Sequence, residues 1–275
     1  MSTTPVASAH ALPATHPLAT GATAGSPLLA AYQGRTPAHR PVWFMRQAGR
    51  SLPEYQEVRR GTTMLEACLT PALAARITLQ PVRRYGVDAA IFFSDIVVPM
   101  KVAGVDVTIE PGVGPVFAHP VRTMADVEAL PALDDAFDAG LTPVREAVAL
   151  TVAELGSTPL IGFAGAPFTL AAYMVDGRPS RDHLGARRLM HSAPDVWAGL
   201  AEWTARAAGA FLRAQVLAGA SAVQLFDSWA GALSVEDYTR HCAPASAAAL
   251  AAVSDLPVPR VHFAAHGSHL LRPLA

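Results

Sequence analysis

Two arginines, Arg46 and Arg50, are the first candidates for chemistry, set in the stretch PVWFMRQAGRSLPEY at residues 41–55. They follow a short apolar run and flank a Gln-Ala-Gly turn, where Gly49 permits a tight bend and Pro53 prevents a return to extended sheet. A guanidinium stays charged at physiological pH and matches a carboxylate or phosphate bidentately, so the pair predicts an oxyanion beyond a strand end. The competing reading is two surface arginines paired with Asp or Glu, a common arrangement of small energetic consequence. Asp95 closes a second apolar run, AAIFFSD, and Ser228 follows a third, QLFDS. By itself an Asp in that position is as readily the cap of a following helix as a functional anion.

The elements that must position these residues read as alternating strands and helices. Strands are expected at residues 42–45, 87–93, 160–163, 223–226 and 260–263, the second interrupted by Asp88. Nearly continuous apolar runs suit strands covered on both faces, as in parallel α/β sheets. Residues 64–69 and 72–79 predict helix, with Pro71 in a first turn. The alternation and glycines of residues 101–117 predict an inserted β-hairpin, and residues 120–131 a loop and short helix. Leu141, Val144, Val148, Val152 and Leu155 share one helical face. Short helices are expected between Phe168 and Met190, broken by Gly177 and Pro179. Val196, Leu200, Trp203, Ala207, Phe211, Ala214 and Leu217 form the strongest helical stripe. Ser234, with Asp237 after it, predicts the cap of a helix running to about Val253. Five strands separated by helices fit either an open doubly wound sheet or a barrel, and periodicity does not choose between them.

Composition narrows the function. The chain has 275 residues, 21 basic and 22 acidic side chains and a formal net charge of -1, so nothing electrostatic favours nucleic acid or an anionic membrane. No run is apolar for long enough to span a bilayer. Cys68 and Cys242 form no CxxC, which excludes a disulfide scaffold and a cysteine-rich zinc site; Cys68, beside Leu65 and Leu69, reads as core rather than nucleophile. No strand is followed by a dinucleotide fingerprint, and GVGPV lacks the Lys-Ser or Lys-Thr sequel of a phosphate loop. His262, His266 and His269 lack an accompanying carboxylate and are not expected to hold a metal. Residues 1–27, rich in Ala, Ser, Thr and Pro, predict a disordered tail without a targeting pattern, which leaves the cytoplasm as the default location.

Taken as whole strings, PVWFMRQAGRSLPEY, AAIFFSDIVVPM, GVGPV, GFAGAPFTLAAYMVDG and QLFDSWAGALS resemble, in order, the uroporphyrinogen decarboxylases of haem biosynthesis. The resemblance covers residues 28–263 and implies a (β/α)8 barrel with its chemistry at the strands' carboxyl ends. It implies loss of carbon dioxide from the four acetate side chains of uroporphyrinogen III, without cofactor or metal. By position it assigns Arg46 and Arg50 to substrate carboxylates, and Asp95 to the pyrrole N–H groups and the positive charge of a protonated ring. It gives Tyr173 and Ser228 carboxylate contacts, Phe226 a place in the apolar wall and Gln47 a supporting role, while Ser51 stands where the family usually has an aromatic residue. A homodimer is implied for the complete enzyme.

About five of the eight strands are accounted for by residues 28–275, and AAHGSHLLRPLA, residues 264–275, matches neither the family nor a closing element. The sequence expectation is therefore a carboxyl-terminally shortened barrel, doubtful as an enzyme by itself. An inactive remnant is the alternative. A corrinoid-linked methyltransferase, which shares the fold, would need a His-x-Cys zinc motif that the adjacent His241 and Cys242 do not form.

Overall fold

Parallel strands laid side by side in chain order form the centre of the computed structural model, which describes residues 12–45 and 52–274. The strands are β1 (Ala90–Ile91), an antiparallel hairpin of β2 (Val107–Glu110) and β3 (Gly114–Phe117), then β4 (Leu160–Gly165), β5 (Ala222–Asp227) and β6 (Arg260–Ala264). The main sheet has the order β1-β4-β5-β6, and every neighbouring pair is parallel. A doubly wound sheet reverses its order at a switch point, whereas a barrel wall keeps adding strands in one direction. This order is that of a barrel wall, and it decides what periodicity left open.

The expected first strand, residues 42–45, forms no ladder. Val42 is held by Asp88: its N–H donates to Asp88 Oδ2 at 2.7 Å and its carbonyl accepts the Asp88 N–H at 2.9 Å. The other carboxylate oxygen of Asp88 lies 2.7 Å from His39 Nε2. Val42, Phe44 and Met45 remain exposed, so the apolar run that predicts a strand is not buried by a sheet. Among the described residues the wall therefore has four strands rather than five. The second expected strand, residues 87–93, shortens to Ala90–Ile91.

Each residue of β4 and β5 is buried, because both faces of the wall are covered. One face carries Ile91, Ile161, Phe163, Ala222 and Phe226, packed with Phe263 and with Leu28 and Leu29 of the Pro27–Tyr32 helix. The other face presents Leu160, Ala164, Val223 and Leu225 to the helices, among them Pro194–Leu217 with Trp197, Leu200 and Phe211. Each buried large apolar side chain contributes about 1.5–3 kcal/mol. Gln215 of that long helix fastens it to the wall. Its Oε1 accepts the Phe163 N–H at 2.9 Å, and its Nε2 donates to the Phe163 carbonyl at 2.8 Å.

Both ends of the chain differ from expectation. Residues 1–11 lie outside the described residues, but residues 12–27 are docked rather than forming a free tail. His16, Thr23 and Ser26 are buried. His16 Nδ1 accepts the Leu18 N–H at 3.1 Å and caps the one-turn helix Pro17–Thr20, while Nε2 lies 3.2 Å from the Ala220 carbonyl. Ser26 Oγ caps the Pro27–Tyr32 helix. At the other end a 3-10 turn, Ser268–Leu270, and a short helix, Leu271–Leu274, follow β6, and Leu270 is fully buried. The single helix expected after Ser234 is two, Val235–His241 and Ala243–Ala251. Pro244 cannot donate a backbone hydrogen bond and would clash with a carbonyl one turn earlier, so the helix stops and restarts there. No described helix is long and apolar enough to cross a membrane.

Candidate active site

Parallel strands deliver their carboxyl ends to one edge, and the expected site residues are met there. Beyond β1 the Phe92 N–H still bonds to the Ile161 carbonyl at 3.0 Å, and the Phe93 N–H to Thr78 Oγ1 at 2.9 Å. The chain then turns at Asp95, which is half-buried. Asp95 Oδ1 accepts the Val97 N–H at 3.1 Å and its carbonyl accepts the Val98 N–H at 3.1 Å, opening the Val98–Ala103 helix. Asp95 thus shapes the turn before this helix, whose N-cap is Val97 without a side-chain cap bond. The turn bond is compatible with substrate contact, because a carboxylate offers about four acceptor sites.

The end of β4 leads directly into the Pro167–Asp176 helix, which carries Tyr173. Gly165 is required at this junction: a Cβ there would stand 2.8 Å from Leu170 and 2.9 Å from Ile96, so the Asp95 loop packs tightly on β4. The Ala166 N–H donates to the Phe226 carbonyl at 2.9 Å, joining the β4 end to β5. Phe226 is buried with its ring edge-on to Phe163 at 5.4 Å and Phe263 at 6.0 Å, a continuous aromatic face across three strands. Ser228 is exposed in the turn after β5. Trp229 beside it lies against Tyr173, ring centres 4.0 Å apart. Asp95, Tyr173, Phe226 and Ser228 therefore gather at the carboxyl edge. Arg46, Gln47 and Arg50, together with Ser51, lie outside the described residues.

The residues that hold this edge were missed in the sequence. Asp227 is fully buried, and Thr169 Oγ1 donates to its Oδ1 at 2.8 Å. The same hydroxyl accepts the Trp229 N–H at 3.4 Å. His262 Nε2 lies 3.7 Å from Asp227 Oδ2, with both side chains shielded from solvent. Of the carboxyl-terminal histidines, His262 sits in β6, as its place in the last expected strand implies, while His266 and His269 are exposed, the latter with Nε2 2.8 Å from the Leu233 carbonyl. An Asp inside the buried run QLFD is the signal that could have pointed to a partner, since a charge is not buried without one.

His183 also escaped notice. Its ring stacks on the indole of Trp229 at 4.1 Å and 19°, so Trp229 is held between His183 and Tyr173. Burial pushes the His183 imidazole below its ordinary range, with Asp176 pulling the other way. Cys68 and Cys242 are buried free thiols, each pushed strongly upward by burial, which agrees with a core role for Cys68.

A family model described as Uroporphyrinogen decarboxylase (URO-D) matches residues 23–275. The match runs through residues 264–275, which were expected to depart from the family. The chain is 66% identical over 251 residues to a uroporphyrinogen decarboxylase of Arthrobacter sp. (strain FB24), covering 91% of this chain and 72% of that protein. It is 66% identical over 248 residues to the one from Leifsonia xyli subsp. xyli (strain CTCB07), covering 90% and 66% respectively. Among solved structures, a methyltransferase from Methanosarcina mazei superposes with a TM-score of 0.71 over 90% of this chain and 72% of that one. Its 18% identity speaks for the fold alone.

Proposed function

This chain belongs to the uroporphyrinogen decarboxylase family, and we propose that it converts the four acetate side chains of uroporphyrinogen III to methyl groups, giving coproporphyrinogen III. Membership makes it a TIM-barrel carboxy-lyase of porphyrin biosynthesis, whose substrate is a tetrapyrrole carrying several carboxylates. The observation that carries the reading is the 66% identity over 251 residues.

In this reading the pyrrole ring is protonated at carbon and becomes an electron sink. The bond to the acetate carboxyl carbon breaks, its electron pair flows toward the ring, and carbon dioxide leaves. A second proton then adds to the exocyclic methylene carbon to complete the methyl group, and loss of the first proton from the ring carbon restores the pyrrole, so one proton is consumed for each carbon dioxide released. Asp95 accepts the pyrrole N–H groups and offsets the positive charge of the protonated ring. Arg46 and Arg50 clamp peripheral carboxylates bidentately, with Gln47 supporting their loop. Tyr173 and Ser228 donate hydrogen bonds to further carboxylates. The aromatic face of Phe163, Phe226 and Phe263 supports this assignment, since a dry wall favours loss of charge from the departing carboxylate. The substrate supplies its own sink, so no cofactor enters. A cytoplasmic homodimer completes the reading.

Anaerobic incubation of the chain with uroporphyrinogen III, followed by oxidation and chromatography, tests it. The expected result is a descending series of porphyrins ending at four carboxylates. Unchanged substrate with folded protein would favour the inactive-remnant alternative.

A further inference from the structure

A second set of converging side chains lies away from the strand ends. Asp237 and His241 stand one turn apart on the Val235–His241 helix and so share a face. His191 stands in the last turn of the Leu184–Ser192 helix. One ligand-type atom from each of the three lies within 4.8 Å of the other two. His191 Nε2 is 3.2 Å from Asp237 Oδ1, and the rings of His191 and His241 meet edge-on at 5.5 Å.

Zinc ligands at about 2.0–2.1 Å in a tetrahedron are separated by about 3.3 Å. The His191–Asp237 pair already has that spacing, and a modest ring rotation brings in His241. Backbone anchors hold the set in place: Trp197 Nε1–H donates to the His241 carbonyl at 2.8 Å, and the Asp237 N–H bonds to Ser234 Oγ at 3.0 Å. His191 is exposed while Asp237 and His241 are half-buried, so an ion and completing waters have access. Two imidazoles and one carboxylate suit borderline transition ions and not calcium or magnesium, which take oxygen ligands.

We propose that His191, Asp237 and His241 bind one divalent transition-metal ion of the zinc class, clipping the Leu184–Ser192 helix to the Val235–His241 helix. The first of these helices starts directly after His183, which stacks on Trp229, and the second follows the turn Ala230–Ala232 just beyond Trp229. The clip therefore fastens the two segments that flank Trp229. It stabilises the fold and takes no part in bond breaking. The sequence expectation of no metal weighed His262, His266 and His269 and the adjacent His241 and Cys242, but not His241 together with His191 and Asp237.

Zinc titration by calorimetry tests the site, using the tag-free, chelator-treated 275-residue chain in a non-coordinating buffer. One equivalent should bind in the micromolar range and raise the melting temperature. His191→Ala and His241→Ala should each weaken binding by about tenfold or more. Both should abolish the thermal shift, whereas His119→Ala, at an exposed histidine outside the cluster, should change neither. Cobalt(II) should give visible absorption bands that disappear in the same two variants. Binding no tighter than millimolar, or zinc binding that survives both variants, would overturn the site. Binding without a rise in melting temperature would overturn the clip.

Discussion

Thr169 donates its hydroxyl hydrogen to Asp227 across 2.8 Å, joining the first turn of the helix after β4 to the last residue of β5. Both residues are fully buried, and Asp227 directly precedes Ser228. The contact fixes how the ends of two adjacent strands sit relative to each other, where the proposed substrate contacts gather.

Thr169→Val keeps the shape of the side chain and removes the donor. Asp227 Oδ1 then loses its hydrogen bond in a fully buried setting, a penalty of about 1–3 kcal/mol. The midpoint of urea unfolding should fall accordingly. An unchanged midpoint would show that the carboxylate does not depend on this bond.

Gly231→Ala should disturb the loop after β6. An added Cβ would stand 2.3 Å from the Ala265 carbonyl oxygen and 2.8 Å from backbone atoms of His266, and neither is a flexible side-chain end that can swing aside. We expect a loss of about 1–3 kcal/mol, the usual cost of overpacking. Hydrogen exchange should rise in residues 264–270 before the rest of the sheet responds. A variant with wild-type exchange there would refute the close approach.

His16 makes the docking of the amino-terminal segment sensitive to acid. The neutral ring serves both contacts at once: Nδ1 accepts from Leu18, and Nε2–H donates to Ala220. Burial pushes its pKa below the ordinary value of about 6.5. Below that value the unfolded chain binds the proton more readily than the folded one, so stability falls with pH until the lowered folded pKa is reached. Protonation also places a hydrogen on the capping nitrogen. The protection of residues 12–27, relative to the intrinsic exchange rate, should therefore fall as the pH drops below about 6.5, and His16→Gln should flatten that dependence. Equal protection above and below that pH would contradict the assignment.

Asp95→Asn separates the turn bond of that side chain from its proposed role opposite the substrate. The asparagine carbonyl oxygen accepts a hydrogen bond as the carboxylate does, so the bond from the Val97 N–H and the melting temperature should persist. Turnover should fall by about a hundredfold or more, because the charge opposing the protonated pyrrole is gone. Arg46→Lys and Arg50→Lys should instead reduce kcat/KM most, since an ammonium does not reproduce a bidentate fork. Wild-type turnover in Asp95→Asn, or wild-type kcat/KM in either lysine variant, would remove that residue from the mechanism.

Much of the architecture is legible from local pattern. The stripe from Val196 to Leu217 predicts the helix observed at Pro194–Leu217, and the apolar runs predict β4, β5 and β6 within two residues at each end. The family strings name Asp95, Tyr173, Phe226 and Ser228 as candidates. The helix and strand readings succeed because hydrophobic period belongs to contiguous residues.

What the tertiary structure decided concerns partners distant in sequence. The order β1-β4-β5-β6 selects a barrel wall over a doubly wound sheet, although both have the same succession of elements. Residues 42–45 have the composition of a strand, yet they pair with no strand: Val42 bonds to Asp88, Trp43 packs on the inner face and Phe44 lies edge-on to Tyr85. The polar segment before Leu28 looks unable to order itself, and it is held by His16 against Ala220. Thr169 and Asp227, or His191 and Asp237, carry no mark of their pairing in the chain. A side chain's own chemistry is written in the sequence, but which distant group it meets depends on how the strands and helices are laid beside one another.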